Sequence, residues 1–379
     1  MKTKILGLVA VLGAVCLLSG CRAQTDSVRV GAVLSMTGPI APYGNDNLKG
    51  IETARDYLNA KGGLFGHPIE LVVSDDGGDP VQAATAARRL SSDPSISLIL
   101  GPTRTGCAIA ISKILPDLKV AMISVGSTGD WESAFGGPFN EWTFRSTRTD
   151  TFLIGPLIAA ANKKFGIRRL AVISTGNDDW SVSVRKLYLK SAAEQQIDIV
   201  ADVMQSTGDT DRSAQLSKIR AATPDAVIVN TNPNDAAGIA AQARRMGIRA
   251  RFIGTAGFSS PAIWRLAPDG ALDGTLVGEN FYLGSTRTVV RDFVKAFQAK
   301  YNVEPPPYSA YAFDGMLIAM DAIRRSGHPK NRDEVRQAIA ATKSLEGVLG
   351  SITYADGRGD ARKPALVLEI RSGGYRLVE

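Results

Sequence analysis

The chain is poor in the residues from which catalytic and metal sites are most often built. Only two of its 379 residues are histidines, and no set of histidines and cysteines has the spacing of metal ligands. His67 lies in a Phe-Gly-His-Pro stretch typical of a surface turn, and His328 follows a predicted helix. The Gly-x-Ser-x-Gly motif of hydrolases is absent, and no Gly-x-Gly-x-x-Gly motif follows the first predicted strand. We therefore expect neither an enzyme nor a protein that carries a metal or cofactor.

Cysteine is equally scarce, with three in the whole chain. Cys16 and Cys21 belong to an N-terminal segment that has the features of an export leader. When that leader is removed and the sulfur of Cys21 is acylated, Cys107 has no partner left. We therefore expect no disulfide within the mature chain, and we expect Cys107 to be a small buried apolar residue.

The N-terminal segment has the features of a lipoprotein leader. Two lysines precede an apolar run, Ile5–Leu18, which is too short for a comfortable membrane span. The stretch Leu18-Ser19-Gly20-Cys21 resembles a bacterial lipobox, in which the chain is cut before the cysteine and its sulfur is acylated. These features predict a signal peptide over residues 1–20 and a lipidated tether over residues 21–27. The mature protein is then expected in the periplasm or at the cell surface, anchored to a membrane through Cys21.

Positive charge is in modest excess and is dispersed. The formal net charge of +7 falls to +5 once the two leader lysines are removed. Basic doublets are scattered, mostly on predicted helices, whereas nucleic-acid binding needs basic clusters interleaved with aromatic platforms. We expect solvated helix faces rather than a nucleic-acid partner.

Strand and helix signals alternate along the whole mature chain. Its length, about 350 residues, exceeds the ~250–300 that one hydrophobic core usually supports. A strand–helix pattern runs from Val28 to Ser124 and begins again after residue 150, which predicts two parallel sheets with helices on both faces. The expected fold class is α/β, with two doubly wound Rossmann-like lobes.

The C-terminal part predicts a hinge. Three predicted helices and several short strands follow the second half, and a tail that packs on the first half and then crosses again joins the lobes by several strands. Residues 28–147 and 284–350 are assigned to lobe 1, and residues 148–283 and 351–379 to lobe 2. Ligands bind beyond the carboxyl ends of strands in open α/β sheets, so two facing ends make a cleft that can close. Crossovers are expected near residues 146–150, 281–284 and 348–353.

Several short motifs stand in the order and spacing of a known family. They include Val30–Pro39, Asn59–Gly66, Leu100–Gly106, Asn177–Trp180 and Tyr308–Gly315. Together they resemble the Leu/Ile/Val-binding family of type I periplasmic binding proteins, the receptors of branched-chain amino-acid ABC importers. The resemblance covers residues 28–375.

The resemblance implies a ligand carboxylate that rests on backbone amides and hydroxyls at two strand-to-helix turns. Thr105 opens a predicted helix, where free N–H groups and the helix dipole favour an anion. The alternative for Thr105 is an ordinary N-cap that satisfies its own helix. Tyr43 and Trp180 match aromatics that pack on the ligand, with local packing as the alternative for Trp180. The residues expected to contact the ligand are Tyr43, Arg104, Thr105, Gly126, Ser127, Thr128, Arg148, Trp180, Asn232 and Ala256.

The chain departs from the family where an acidic residue usually meets the ligand ammonium, because Ala256 stands there. A buried ammonium without a counter-ion costs several kcal/mol. Asp178 or Asp179 could supply the charge instead. The two extra arginines of the expected site suggest a second possibility, an aromatic or short aliphatic carboxylate that lacks an amino group. Gly78 and Arg104 also stand where the family has a disulfide.

These features predict an extracytoplasmic solute-binding lipoprotein of an ABC importer, which closes on an amino acid or on an aromatic or aliphatic acid. The expected partners are this small molecule, an ABC permease and the membrane that holds the anchor, and the protein is expected to be a monomer. Two alternatives stay open. One is a sensor subunit of the same fold that signals to a membrane kinase or chemoreceptor, and the other is a binder of amide- or urea-type solutes.

Overall fold

The computed structural model describes most of the chain that follows the predicted signal peptide. The predicted signal peptide, the predicted lipidation site Cys21 and nearly all of the predicted tether lie outside the described residues. Among the residues that are described, no helix has the length and apolar character that a membrane span requires. The described residues are 27–130, 140–260, 263–267, 270–354, 365–372 and 374–378, without the side chains of Trp264 and Arg265.

The first sheet has five parallel strands in the order β2-β1-β3-β4-β5. Four of its strands are almost continuously buried, as expected of a parallel sheet covered on both faces, whereas the edge strand β2 is only partly buried. The strands are β1 Val28–Leu34, β2 Ile69–Asp75, β3 Ile96–Leu100, β4 Met122–Ser124 and β5 Thr143–Arg145. The helices between them are α1 Ala41–Asn59, α2 Pro80–Ser91, α3 Thr105–Ser112 and α4 Leu115–Leu118.

One predicted helix is broken in the structure. The sequence predicts a single helix over residues 105–115, but α3 ends at Ser112 and α4 begins at Leu115. Pro116 has no N–H to donate to the carbonyl of Ser112, and its ring would clash with that oxygen. The carbonyl instead accepts a hydrogen bond from the Asn140 amide at 2.6 Å.

The second sheet has seven strands in the order β14-β13-β10-β9-β8-β6-β7. Its first five strands in chain order are parallel, and β13 and β14 add to one edge in antiparallel fashion. The strands are β6 Arg169–Thr175, β7 Asp198–Gln205, β8 Ala226–Asn230, β9 Arg251–Gly254, β10 Leu276–Glu279, β13 Leu366–Arg371 and β14 Gly374–Leu377. The helices are α5 Thr151–Phe165, α6 Asp179–Glu194, α7 Ser213–Ala221, α8 Pro233–Arg245 and α9 Ile263–Leu266, with a 3₁₀ turn at Ala256–Phe258.

Three late helices return to the first sheet. They are α10 Thr288–Tyr301, α11 Pro307–Ser326 and α12 Arg332–Ala340, followed by the small hairpin of β11 Leu345–Gly347 and β12 Gly350–Ile352. α11 packs along α1 so closely that a Cβ at Gly50 would lie 2.1 Å from the carbonyl oxygen of Ser309. The fold class predicted from the sequence, two doubly wound α/β lobes, is confirmed.

Two crossovers between the lobes are described in full. Residues 146–150 join β5 to α5, and residues 280–287 join β10 to α10. The third crossover was predicted near residues 348–353, but these residues lie in and beside the hairpin of β11 and β12. Residues 355–364, between this hairpin and β13, lie outside the described part of the chain. Turns at the carboxyl ends of both sheets meet between the lobes, and that meeting defines the candidate site.

Candidate ligand-binding site

A cavity of about 260 Å³ lies between the two lobes. It is lined by the turns after β3 and β4 on one side, by the turns after β6, β8 and β9 on the other, and by the first turns of α1 and α11. Eight of the ten residues predicted to contact a ligand line this cavity: Tyr43, Arg104, Thr105, Gly126, Thr128, Trp180, Asn232 and Ala256.

The N-terminus of α3 reaches the cavity without a side-chain cap. Its N-cap residue, Arg104, has a side chain that accepts no bond from the helix, and Thr105 is the first helical residue. By contrast, α6 and α8, whose N-terminal ends also reach the cavity, are capped by Asp178 and Asn232, each of which accepts a backbone N–H at 3.0 Å. The first N–H groups of α3 therefore have no side-chain acceptor at the N-cap, and the positive end of the helix dipole lies at the cavity.

Two predicted contact residues are not among those that line the cavity. Ser127 is fully buried, and its hydroxyl lies 3.1 Å from the hydroxyl of Thr105, which it supports from behind. Arg148 is 3% exposed and lies in the first crossover. The turn that carries Ser127 approaches the turn after β3 so closely that a Cβ at Gly126 would lie 2.5 Å from the Thr103 carbonyl oxygen, so only glycine fits there.

Trp180 stands in the first turn of α6 and is buried between the lobes. Its indole N–H lies 2.7 Å from a carboxylate oxygen of Asp150 and 3.0 Å from the hydroxyl oxygen of Thr128. Trp180 therefore lines the cavity and also joins the second lobe to the first lobe and to the first crossover.

Tyr43 forms the aromatic wall contributed by α1. Its ring stacks on Tyr308 of α11, with centroids 3.9 Å apart and planes 3° from parallel. The Tyr43 hydroxyl donates a hydrogen bond to the carbonyl oxygen of Ala256 in the opposite lobe. Because Tyr43 is 4% exposed, it is a buried wall of the cavity rather than an open mouth residue.

Arg104 and Asp178 form an ion pair across the rim of the cleft. Two nitrogens of Arg104 lie 3.1 and 2.9 Å from one carboxylate oxygen of Asp178, and a third donates to the Gly78 carbonyl at 2.7 Å. Burial by itself would lower the pKa of Arg104, but the carboxylate of Asp178 outweighs burial and raises that pKa. Gly78 and Arg104 are thus in contact, with a hydrogen bond where the resemblance implied a disulfide. Among the described residues that line the cavity, Arg104 and Asp178 are the only charged side chains.

Sequence reasoning missed several residues of the site. Asp150 and Tyr308 are the main ones, since one holds Trp180 and the other stacks on Tyr43. Each acts on a partner far away in the sequence, so no local pattern identifies it. The carboxyl end of a strand and the turn that follows it do point to the cavity's further polar side chains, which are Thr103, Thr175, Asn177, Thr207 and Thr231.

Two buried carboxyl groups lie at the described crossovers. Burial raises the pKa of Asp150 to about 6, against the hydrogen bonds from Thr128 and Trp180 that favour its charged form. Burial likewise raises the pKa of Glu279 to about 7, where the Tyr311 hydroxyl donates at 2.8 Å to the carboxylate. Both groups therefore change charge close to neutral pH.

The remaining predictions about chemistry concern metals and the thiol. The described residues contain no group of three or more histidine, cysteine or acidic side chains placed to hold a metal ion. Cys107 is fully buried, which confirms the expectation of a buried residue there, and burial raises the pKa of its thiol.

Comparisons with known proteins agree with this geometry. A model of the periplasmic binding protein family matches residues 27–375. The Leu/Ile/Val-binding protein homolog 3 of Brucella melitensis is 26% identical over 372 residues, which cover 96% of this chain and 96% of that protein.

Two crystal structures share the fold at similar identity. The leucine-binding protein LivK of Thermotoga maritima superposes with a TM-score of 0.85 at 26% identity, over 93% of this chain and 97% of that one. The branched-chain amino acid transporter substrate-binding protein LivJ of Streptococcus pneumoniae, in complex with isoleucine, superposes with a TM-score of 0.84 at 26% identity, over 93% and 99%. The chain therefore belongs to the periplasmic binding protein family and is of the type found with branched-chain amino acid ABC transporters.

Proposed function

We propose that this chain is the extracytoplasmic solute-binding lipoprotein of an ABC importer and that it closes on a small carboxylate-bearing ligand. The observation that carries the proposal is the cavity between the lobes, where the uncapped N-terminus of α3 stands beside two threonine hydroxyls. Its volume of about 260 Å³ is near the lower end of the ~300–1,000 Å³ typical of ligand pockets, which favours a metabolite-sized ligand.

The carboxylate is proposed to rest at the turns after β3 and β4. Thr105 and Thr128 offer hydroxyl groups there, and the first N–H groups of α3 offer donors with no competing N-cap side chain. Free N–H groups and the helix dipole together favour an anion. We propose the eight lining residues as ligand contacts, with Ser127 acting through Thr105.

A ligand without an amino group fits the electrostatics of the cavity best. Ala256 offers no charge, and Asp178 is the single carboxylate among the described lining residues. That carboxylate already accepts from Arg104 through one oxygen and from the Ser181 N–H through the other. An ammonium group would have to compete with Arg104 for it, and an uncompensated buried charge is costly.

Branched-chain amino acids are the rival ligands. Their support comes from the relatives, because the LivJ protein that is 26% identical to this chain was crystallised with isoleucine. In that case the Arg104–Asp178 pair would rearrange to free a carboxylate oxygen for the ligand ammonium.

Closure is proposed to occur between lobe 1, residues 28–147 and 284–350, and lobe 2, residues 148–283 and 351–379. The side-chain hydrogen bonds and ion pairs that already join the described parts of the two lobes include Tyr43–Ala256, Trp180–Thr128, Arg104–Asp178 and Asn234–Pro39. A ligand shifts the balance between open and closed lobes only by its differential affinity for the closed form. The closed form is what the permease of an importer, or a membrane kinase in a sensor, would recognise.

The lipid anchor at Cys21 is part of the proposal. The mature protein should fractionate with membranes and carry the mass of acyl chains on residue 21. A Cys21→Ser variant should be released into the soluble extracytoplasmic fraction, and a wild-type protein already in that fraction would contradict the anchor.

A ligand panel tests the proposal directly. Thermal shift followed by titration calorimetry would compare leucine, isoleucine, valine, benzoate, branched 2-keto acids, urea and aliphatic amides. We expect the amine-free carboxylates to raise the melting temperature most. Tight binding of leucine or valine with no response to benzoate or keto acids would exclude the amine-free class, and a response to amides alone would exclude a carboxylate ligand.

A further inference from the structure

Asp150 occupies a junction of three parts of the molecule. It lies at the end of the first crossover, directly before α5, and is 1% exposed. Its carboxylate accepts the indole N–H of Trp180, from the first turn of α6, at 2.7 Å. The same N–H lies 3.0 Å from the hydroxyl oxygen of Thr128, in the turn after β4. The indole proton of Trp180, in the second lobe, is therefore shared between two acceptors. One is Thr128 in the first lobe, and the other is Asp150 in the crossover.

Asp150 does not itself line the cavity, whereas Trp180 and Thr128 do. Any effect of Asp150 on a ligand must therefore pass through one of these two neighbours, Trp180 or Thr128, and the indole of Trp180 is the larger wall of the two. Trp180 has one hydrogen-bond donor, and the shorter of its two bonds is the one to Asp150. Bonds to a charged acceptor are stronger than bonds between neutral groups, so the carboxylate rather than the hydroxyl decides where the ring lies.

The titratable groups that face Asp150 keep their charge state near pH 6, so Asp150 is the group of this set that changes charge there. Among the described residues, Arg145 on β5 acts on Asp150 as a positive charge, and the titratable side chains of Tyr188 on α6 and Tyr308 on α11 also interact with it. Burial raises the pKa of both tyrosines well above its ordinary value, so both stay neutral near pH 6. Burial raises the pKa of Asp150 to about 6.

We propose that Asp150 is a positioning residue, which fixes the Trp180 indole as a wall of the ligand cavity and ties the position of the second lobe to the first crossover. The consequence for ligand affinity rests on the proposed function, whereas the bond between Asp150 and the indole does not. Above pH 6 the carboxylate is charged and holds the ring firmly. Below pH 6 it is neutral and holds the ring more weakly, so affinity should fall as the pH falls through this value.

The first experiment needs no ligand. The protein, labelled with ¹⁵N-tryptophan, gives indole N–H signals that are followed by NMR from pH 4.5 to 8, and the Trp180→Phe variant identifies the signal of Trp180. We expect this signal to shift with a midpoint near pH 6, and the Asp150→Asn variant to abolish the titration. The matched control is Glu279→Gln, which removes the other buried carboxyl group of raised pKa and should leave the titration in place. A Trp180 signal that does not titrate in the wild type, or that titrates equally in Asp150→Asn, would overturn the proposal.

The second experiment asks whether Asp150 acts through Trp180. L-isoleucine and benzoate are titrated calorimetrically into the wild type, Asp150→Asn, Trp180→Phe and the double variant at pH 7.5. We expect Asp150→Asn to weaken binding about 5- to 10-fold in the wild-type background, and less than about 2-fold once Trp180 is replaced. Equal losses in both backgrounds would overturn the claim that Asp150 acts through the indole. If neither compound binds the wild type, the best carboxylate of the ligand panel replaces them. If no carboxylate of the panel binds, the proposed carboxylate ligand is wrong, and the indole titration still decides the role of Asp150.

Discussion

The two lobes meet through two physically different contacts, one at the inner end of the cleft and one at its rim. The inner junction joins Trp180, Thr128 and Asp150, whose exposed fractions are 9, 5 and 1%. The rim pair joins the side chains of Arg104 and Asp178, which are 26 and 18% exposed. Water screens the rim pair and leaves it worth about 0–1 kcal/mol, whereas a dry junction strengthens each polar contact and makes each missing partner costly. We therefore expect the inner junction to set affinity and the rim pair to adjust it.

The largest effect should come from the ring at the inner junction. Trp180→Ala removes a buried aromatic wall together with the N–H that bridges the lobes, so ligand affinity should fall about 100-fold. Trp180→Phe keeps a ring but loses the donor, and should cost about 10-fold. Titration calorimetry with the best ligand of the panel measures both. A Trp180→Ala variant that binds ligand within twofold of the wild type would show that the inner junction contributes no more to affinity than the rim pair does.

The second prediction concerns pH and stability at the same junction. The pKa of Asp150 is about 6 in the folded protein against an ordinary 3.8, so the folded state holds the proton more tightly than the unfolded state does. Between these two values the unfolded state loses its proton first, and stability falls as the pH rises. The free energy of unfolding of the wild type should therefore fall by about 2–3 kcal/mol more than that of Asp150→Asn between pH 4 and 7.

Urea unfolding at half-unit pH steps measures this difference. Glu279→Gln is a useful counterpart at the other crossover. The pKa of Glu279 is raised from 4.5 to about 7, so its contribution has the same sign but extends to higher pH. Identical pH profiles of the free energy of unfolding for the wild type and Asp150→Asn would show that the pKa of Asp150 is not raised by folding.

An intermediate effect is expected at the turn where the carboxylate is proposed to rest. Thr105→Val removes a hydroxyl and leaves ligand oxygens unpaired, which should cost about 1–3 kcal/mol, or about 10-fold in affinity. Thr105→Ser retains the hydroxyl and is the matched control, expected within about threefold of the wild type. An unchanged dissociation constant in Thr105→Val would exclude Thr105 from the ligand contacts.

The smallest effect is expected at the rim. Arg104→Gln and Asp178→Asn should each weaken binding about two- to fivefold, and high salt should remove most of the difference from the wild type. Asparagine can still cap α6, so Asp178→Asn tests the ion pair rather than the helix. The control is Trp180→Phe, whose loss should not change with salt. A loss of more than about 30-fold in Arg104→Gln would instead make Arg104 as important for affinity as the inner junction.

The sequence predicted the inner faces of the cleft better than the bonds that join them. Thr105 was expected to open a helix after a buried strand, and α3 begins at this residue. The sequence did not predict that Ser127 supports the Thr105 hydroxyl or that Gly126 lies against the Thr103 carbonyl. Both contacts depend on how the turns after the neighbouring strands β3 and β4 meet. The break between α3 and α4 was missed, although Pro116 in the predicted helix was a sufficient local signal.

Local pattern and composition alone determined that this chain forms two α/β lobes with a ligand cleft at the carboxyl ends of their strands. Periodic burial and helix-start signals are properties of neighbouring residues, and the order of elements restricts the possible sheets to very few. Only the tertiary structure decided which side chains meet across the cleft. Arg104 and Asp178 are 74 residues apart, and Tyr43 and Tyr308 stack from opposite ends of the chain. The burial that changes the chemistry of Asp150 is likewise a property of the packed molecule, because water is excluded only when the crossover and both lobes come together.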